Sequence, residues 1–291
     1  MLMLLLFFTG LFAGTVDAIA GGGGLISIPV LLSLGIPPQL AFGTNKLQST
    51  IGTFVAATRY HRQGLTSLRM VYVGIFSGMA GAILGSVAAQ LINSDVLRKI
   101  IPVLLLLILV YTLLSPRFGF KDNQPKMKAT YFYLIFGFVL GLYDGFFGPG
   151  VGSFWVFLLT FFMGYNLIKA TAYTKIFNLN SNVIATICFA IGSNIDYKIA
   201  LCMAAGQLIG GRLGANLAIN KGARLIRPMF LCIVTVTTMS LIYKAYSHSA
   251  IFSELTRQYG LLPPILIGVC LLLAVIAIYF RASFRSKAVS S

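Results

Sequence analysis

The sequence predicts an all-α polytopic membrane protein of two inverted-topology repeats, each holding a broken or re-entrant half-helix, followed by one extra C-terminal transmembrane helix. Three observations predict it. Charged residues make up only 10% of the 291-residue chain against 58% hydrophobic, with a mean hydropathy of +0.90, where soluble domains average about 25% charged. Stretches without any charged residue run over 18–45, 70–94, 100–116, 145–168, 176–195, 228–243 and 258–280. The chain also repeats itself.

Bilayer-crossing helices need roughly 20 mainly apolar residues, and several of these stretches are long enough. Backbone groups in hydrocarbon must be satisfied within the segment, which favours helices. The runs are continuously apolar and do not alternate, which disfavours a β-barrel. The formal net charge of +16 lies mostly in short loops between apolar runs. That is the pattern of loops that orient a membrane protein, not of a basic, aromatic-interleaved nucleic-acid groove.

Residues 14–23 (Gly14, Asp17, Gly21, Gly23) match 141–150 (Gly141, Asp144, Gly148, Gly150) at an offset of 127. Gly35, Ala41, Lys46, Gly81 and Gly85 then match Gly164, Ala170, Lys175, Gly210 and Gly214 at an offset of 129, and Pro102 matches Pro228. The first repeat, 1–115, reads as a helix near 2–20, a glycine break at 21–24, a short segment at 25–35, and helices near 38–60, 69–92 and 98–115. The second, 129–246, has counterparts near 129–147, 151–163, 166–192, 197–219 and 226–246. The linker 116–128 joins them, and the run 259–281 stands outside the repeat. Segments 25–35 and 151–163 are too short to cross and read as half-helices. Leu2 to Phe12 and Ala18-Ile19-Ala20 resemble a signal peptide, but no basic residue precedes them and the segment recurs near 140, so it reads as a retained helix.

Charge separates parallel from inverted copies. Loops 59–69, 117–128, 220–227 and the tail 281–287 carry thirteen Lys/Arg and one acidic residue; loops 93–99, 193–198 and 244–258 carry five and three. The basic face is cytoplasmic by the positive-inside rule. Equivalent loops 59–69 and 193–198 then fall on opposite sides, as inverted repeats require. The expectation is an inner-membrane protein with its N-terminus outside and C-terminus cytoplasmic.

Ionisable residues within membrane segments are costly and usually functional. Asp17, Lys46, Asp144, Lys169, Lys175 and Arg212 qualify, and Asp17/Asp144 and Lys46/Lys175 are repeat-related. A half-helix that starts at Gly22, Gly23 and Gly24, or at Gly150, presents free N–H groups and a positive dipole end to an anion. The expected substrate-binding residues are those glycines with Asn45, Lys46, Gln48, Lys175, Asn178 and Asn180, around a shared electropositive centre. Asp17 and Asp144 are coupling carboxylates or structural partners of the lysines. Gly74, Gly78, Gly81 and Gly85, with Gly206, Gly210 and Gly214, read as close helix-packing positions. Lys169, near a helix start, reads as snorkelling to the interface. Arg212, whose counterpart is Ile83, is left without a role. Cys188, Cys202, Cys232 and Cys270 lack metal or disulfide spacing, and His61 and His248 lie near loop ends, so no metal site is expected.

At Asp17-Ala-Ile-Ala-Gly-Gly-Gly-Gly24, Thr44-Asn45-Lys46 and Tyr143-Asp144-Gly-Phe-Phe-Gly-Pro149 the chain resembles the TauE/SafE family, the sulfite-exporter-like or toluene-sulfonate uptake permeases, and within it the YfcA-type branch. The resemblance covers about residues 5–250. It implies inner-membrane transport of sulfur-containing or carboxylate anions, without a cofactor. Relatives of this kind end near position 258, so 259–281 is a departure. Together these readings point to a secondary transporter of a small anion working by alternating access at the repeat interface. Proton coupling through Asp17 or Asp144 is compatible with it, because desolvation favours a neutral carboxyl. A channel-like anion pore is the alternative. An intramembrane enzyme would need a nucleophile with a base, or a metal cluster, and the sequence offers no such grouping.

Overall fold

A computed structural model describes residues 1–97, 103 and 122–221. The helices expected near 98–115, 226–246 and 259–281, most of the linker, and Cys232, Cys270 and His248 lie outside the described residues. What is described is all helical.

α1 (Leu2–Ala20) is an uninterrupted apolar run that stops where Gly21 turns left-handed (φ 73°) and returns its N–H to the Asp17 carbonyl at 2.7 Å, a glycine C-cap. α2 (Gly24–Ser33) has ten residues, about 15 Å of helix, half a bilayer. It folds back along α1, since Leu31 near its end shares a cluster with Leu6 near the start of α1. α3 (Pro38–Arg62) opens on a proline, which suits a first turn whose N–H groups lack partners. It closes with Arg59, His61 and Arg62 against its negative dipole end. After a short 3₁₀ turn, α4 spans Tyr72–Leu91.

The second half repeats this order. α5 (Ala129–Phe146) breaks at glycines in left-handed conformation, Gly148 (φ 94°) and Gly150 (φ 80°). α6 (Val151–Phe162) folds back, so that Phe162 meets Phe132 near the start of α5 at 6.2 Å between ring centroids. α7 (Leu167–Ile191) is capped by Asn166, whose side chain accepts from the Lys169 N–H. α8 (Tyr197–Lys221) is capped in the same way by Asp196 on the Ile199 N–H. Among the described residues, the expected segments match the observed elements to within a few residues at each end.

The halves exchange partners. α1 of the first packs on α8 of the second, and α4 of the first on α5 of the second. Small residues let the backbones meet. Gly10 and Gly14 abut Met203 and Gln207, in rising order along both chains, so α1 and α8 are parallel. Gly78, Gly81 and Gly85 abut Gly137, Leu142 and Phe146 in the same sense, so α4 and α5 are parallel. α3 and α7 cross at the centre in the opposite sense. Gly43 abuts Phe189, Lys46 reaches Asn182, and Ser67, past the end of α3, reaches Tyr173.

Polarity is inside out. Leu4, Phe8, Phe76, Leu91, Val139 and Leu201 are exposed, while Thr44, Asn45, Lys46, Gln48, Asp144, Lys175, Asn178 and Gln207 are buried. A broad apolar exterior over a charged core describes a protein whose solvent is lipid. α1, α4 and α5 are each long and apolar enough to cross a membrane.

Candidate functional site

The two glycine breaks meet. A Cβ on Gly21 would fall on Gly152, and one on Gly24 would stand 3.4 Å from the Pro149 ring and 3.6 Å from Asn45 Nδ2. Both half-helices therefore begin side by side against the start of α3. Two tyrosines fasten the breaks: Tyr60 Oη donates to the Ala18 carbonyl and Tyr143 Oη to the Pro149 carbonyl, each at 2.8 Å. Part of the free N–H set is used locally, because Leu25 N–H donates to Gly22 O and Ile26 N–H to Gly23 O, both at 3.0 Å.

Each lysine pairs with the aspartate of the other copy. Lys46 Nζ lies 2.5 Å from Asp144 Oδ1, with both side chains almost fully buried (2% and 4% exposed). Lys175 Nζ lies 3.1 Å from Asp17 Oδ2 and also donates to the Asp17 carbonyl. Of the two roles expected for Asp17 and Asp144, the geometry shows the pairing: each lysine of the expected electropositive centre stands against a carboxyl group. The reason is energetic, since an unpaired ammonium in a dry interior costs several kcal/mol. Gly148 is needed here for space: a Cβ on it would stand 2.8 Å from Lys46 Nζ and 2.9 Å from Asp144 Oδ1.

Three further side chains join the pairs. Lys46 Nζ donates to Asn182 Oδ1 (3.2 Å), Asn182 Nδ2 to Thr53 Oγ1 (3.4 Å), and Thr53 Oγ1 to Asp17 Oδ2 (3.4 Å). Ser181 Oγ donates to Asp144 Oδ2, and the Gly23 N–H to Asp17 Oδ1 (3.4 Å). One buried chain of polar contacts thus runs from Asp144 to Lys175. Thr53 and Asn182 are themselves repeat mates at the 129 offset. Lys46 and Lys175 hold the same place, the ninth residue, on two antiparallel helices of equal length. The pairs therefore sit on opposite sides of the centre of the bundle.

The other expected residues divide. Gln48 donates to Asn45 Oδ1 at 3.0 Å, leaving Gln48 Oε1 buried without a partner; Asn178 Oδ1 is likewise buried and unpartnered. Asn180 donates to the Ile75 carbonyl of α4 at 2.9 Å. Asn180 is five residues from Lys175 and two from Asn182, which puts it on nearly the opposite face of α7. Lys169 lies at the edge, 3.6 Å from Asp122 and over the Tyr165 ring. Arg212 is on α8, outside the network. Among the described residues no three His, Cys, Asp or Glu gather into a metal-binding group.

Sequence reading did not place Thr53, Ser181, Asn182 or Gln207 among the expected site residues, although Ser181 and Asn182 belong to the polar stretch that follows Lys175. The signal for two of them was present: Thr53 and Asn182 each follow their copy's lysine by seven residues, two helical turns on the same face. Gln207 stands where the first copy has Gly78. It is 1% exposed, lies against Gly14 and Gly52, and leaves both amide atoms unpartnered. A buried orphan amide costs about 1–3 kcal/mol. Gln207→Leu is accordingly expected to raise the melting temperature of the purified protein. An unchanged or lower value would mean that the amide is satisfied.

Compared with known protein families, residues 6–241 match the one described as "Sulfite exporter TauE/SafE". The chain is similar to "Probable membrane transporter protein YfcA" of Escherichia coli (strain K12), 39% identical over 246 residues, which cover 84% of this chain and 91% of that protein. It is 38% identical to a "Probable membrane transporter protein" of Haemophilus influenzae over 242 residues, 83% of this chain and 95% of that one. A further relative, "Probable membrane transporter protein ORF9" of a Sinorhizobium species, is 39% identical over 80% of this chain and 89% of its own length. No solved structure matches. With the family covering both copies and the charged centre between them, the chain belongs to the TauE/SafE sulfite exporter family of membrane transporters.

Proposed function

We propose that this chain is a secondary carrier for a small anion of the sulfite, sulfonate or carboxylate class, and that the exchanged Asp–Lys pairs mark its binding centre. The observation that carries the reading is the reciprocity of Lys46–Asp144 and Lys175–Asp17. Each pair ties one copy to the other, so neither copy can move against its mate without disturbing both. Antiparallel α3 and α7, with parallel α1/α8 and α4/α5, support an inverted repeat with its site near midplane. The positive loops support an inner-membrane orientation with 59–69 inside.

In this arrangement Asp144 and Asp17 hold the places on the lysines that a substrate oxyanion would take. A substrate displaces one carboxylate, gains the ammonium and nearby hydroxyl or amide donors, and loosens one side of the interface while the other pair still holds. That is alternating access built from two latches. The relatives' printed names support transport, and the family description supports a sulfur oxyanion among the candidates.

Liposomes containing the purified protein should take up labelled sulfite or sulfoacetate saturably and show counterflow, which separates a carrier from a pore. Lys175→Ala should bring flux to the level of empty liposomes. Undiminished flux in both Lys175→Ala and Lys46→Ala would reject the proposed centre.

A further inference from the structure

Arg212 takes no part in the charged centre. It is exposed on α8 amid outward-facing Leu208, Ile209 and Leu213, each nearly half exposed. Its repeat mate is Ile83, so the helix scaffold does not require a charge there. It lines a cleft of 410 Å³ between α3 and α8, walled by Val55, Leu208, Ile209, Leu213 and Asn216. Beside that wall, Arg59 Nε donates to Asn216 Oδ1 at 2.7 Å. The ion pairs among the described residues engage Asp17, Asp122 and Asp144, and none includes Arg212.

Position decides what could neutralise it. Val55 and Arg59 are one turn apart on α3, as are Arg212 and Asn216 on α8. α3 ends at Arg62, seven residues past Val55, or about 10 Å of helix. A guanidinium at that depth extends along the helix to the headgroup level. A charge left in hydrocarbon is costly, so an external anion is favoured. The apolar walls open to lipid, which favours an anion that brings acyl chains. Arginine's planar fork suits phosphate oxygens, and basic clefts between transmembrane helices recognise acidic headgroups.

We propose that the α3–α8 cleft binds an anionic phospholipid, its phosphate on Arg212 and its acyl chain along Val55, Leu208 and Leu213. The site does not depend on the transport reading. It lies on the seam where Gly211 abuts the Gly52 backbone, next to Thr53 of the central chain, so a bound lipid clamps the helix that carries Lys46.

The test uses the full chain in detergent, with phosphatidylglycerol, phosphatidylcholine or glycerol phosphate added, read by native mass spectrometry and thermal melting. Phosphatidylglycerol should be retained and raise the melting temperature of wild type; the other two should not. Arg212→Leu should lose phosphatidylglycerol retention tenfold or more while melting normally in phosphatidylcholine. Arg212→Lys should keep part of it. Val55→Trp, which fills the apolar end, should also lose it. Equal retention by Arg212→Leu and wild type, or equal protection by phosphatidylcholine, would overturn the proposal. Equal protection by glycerol phosphate would replace the lipid with a free phosphate and overturn it too.

Discussion

Lys46→Ala is expected to cost about 3–5 kcal/mol of stability, the usual effect of stripping one partner from a buried ion pair. Asp144 is 3% exposed and would keep only the Ser181 hydroxyl of its side-chain partners, with no cation beside it. The melting temperature of the purified protein should fall sharply and transport should cease. Lys46→Met with Asp144→Leu should recover most of the stability, because an apolar pair of similar volume is often neutral or better, yet transport should stay lost. That split separates holding the fold from moving a substrate. Lys175→Ala should be milder in stability. Asp17 is more open than Asp144 (14% against 4% of side chain exposed) and keeps contacts from Gly23 N–H and Thr53. Equal melting temperatures for wild type and Lys46→Ala would show that the pair is not buried.

Gly85→Leu is the second large effect. A Cβ there would stand 2.7 Å from the Phe146 backbone N and overlap the Leu142 carbonyl. Both obstacles are backbone, so no rotamer change relieves them and the helices must part. The contact that would be lost extends along α4 through Gly81, Gly78 and Gly74. The cost should reach or exceed the upper end of the ~1–3 kcal/mol usual for overpacking. The expected readout is loss of monodisperse protein after solubilisation. Ala80→Leu, on the exposed face of the same helix, should leave yield and melting temperature unchanged. If Gly85→Leu behaves like Ala80→Leu, the close α4–α5 packing is wrong.

Helices, breaks and copies were legible because each has a local cause. An unbroken apolar run makes α1, the glycines at 21–24 end it, and Pro37-Pro38 opens α3. The repeat offset alone relates Asp17 to Asp144 and Lys46 to Lys175. What it could not give was who pairs with whom, because pairing is set by the crossing of α3 and α7, a long-range fact. Sequence reading left Asp17 and Asp144 open between coupling carboxylates and partners of the lysines, and the crossing of the two helices makes each the partner of the other copy's lysine. Asn180 shows the same limit at finer scale: closeness in sequence to Lys175 does not fix the face, and helical phase turns it towards α4. Gln207 was overlooked because its meaning lies in asymmetry. The first copy has glycine there, and only the packed structure shows an amide buried beside Gly52 without partners.

The central claim, two copies facing opposite ways around exchanged ion pairs, is tested most directly by sidedness. Gln63 follows α3 and Ser193 follows α7; both are exposed and occupy nearly equivalent places in the two copies. With native cysteines replaced, Gln63→Cys and Ser193→Cys would be probed in intact cells and in inside-out vesicles with a membrane-impermeant maleimide. The account predicts that position 63 reacts only from the cytoplasmic side and position 193 only from outside. Labelling of both from the same side would contradict it.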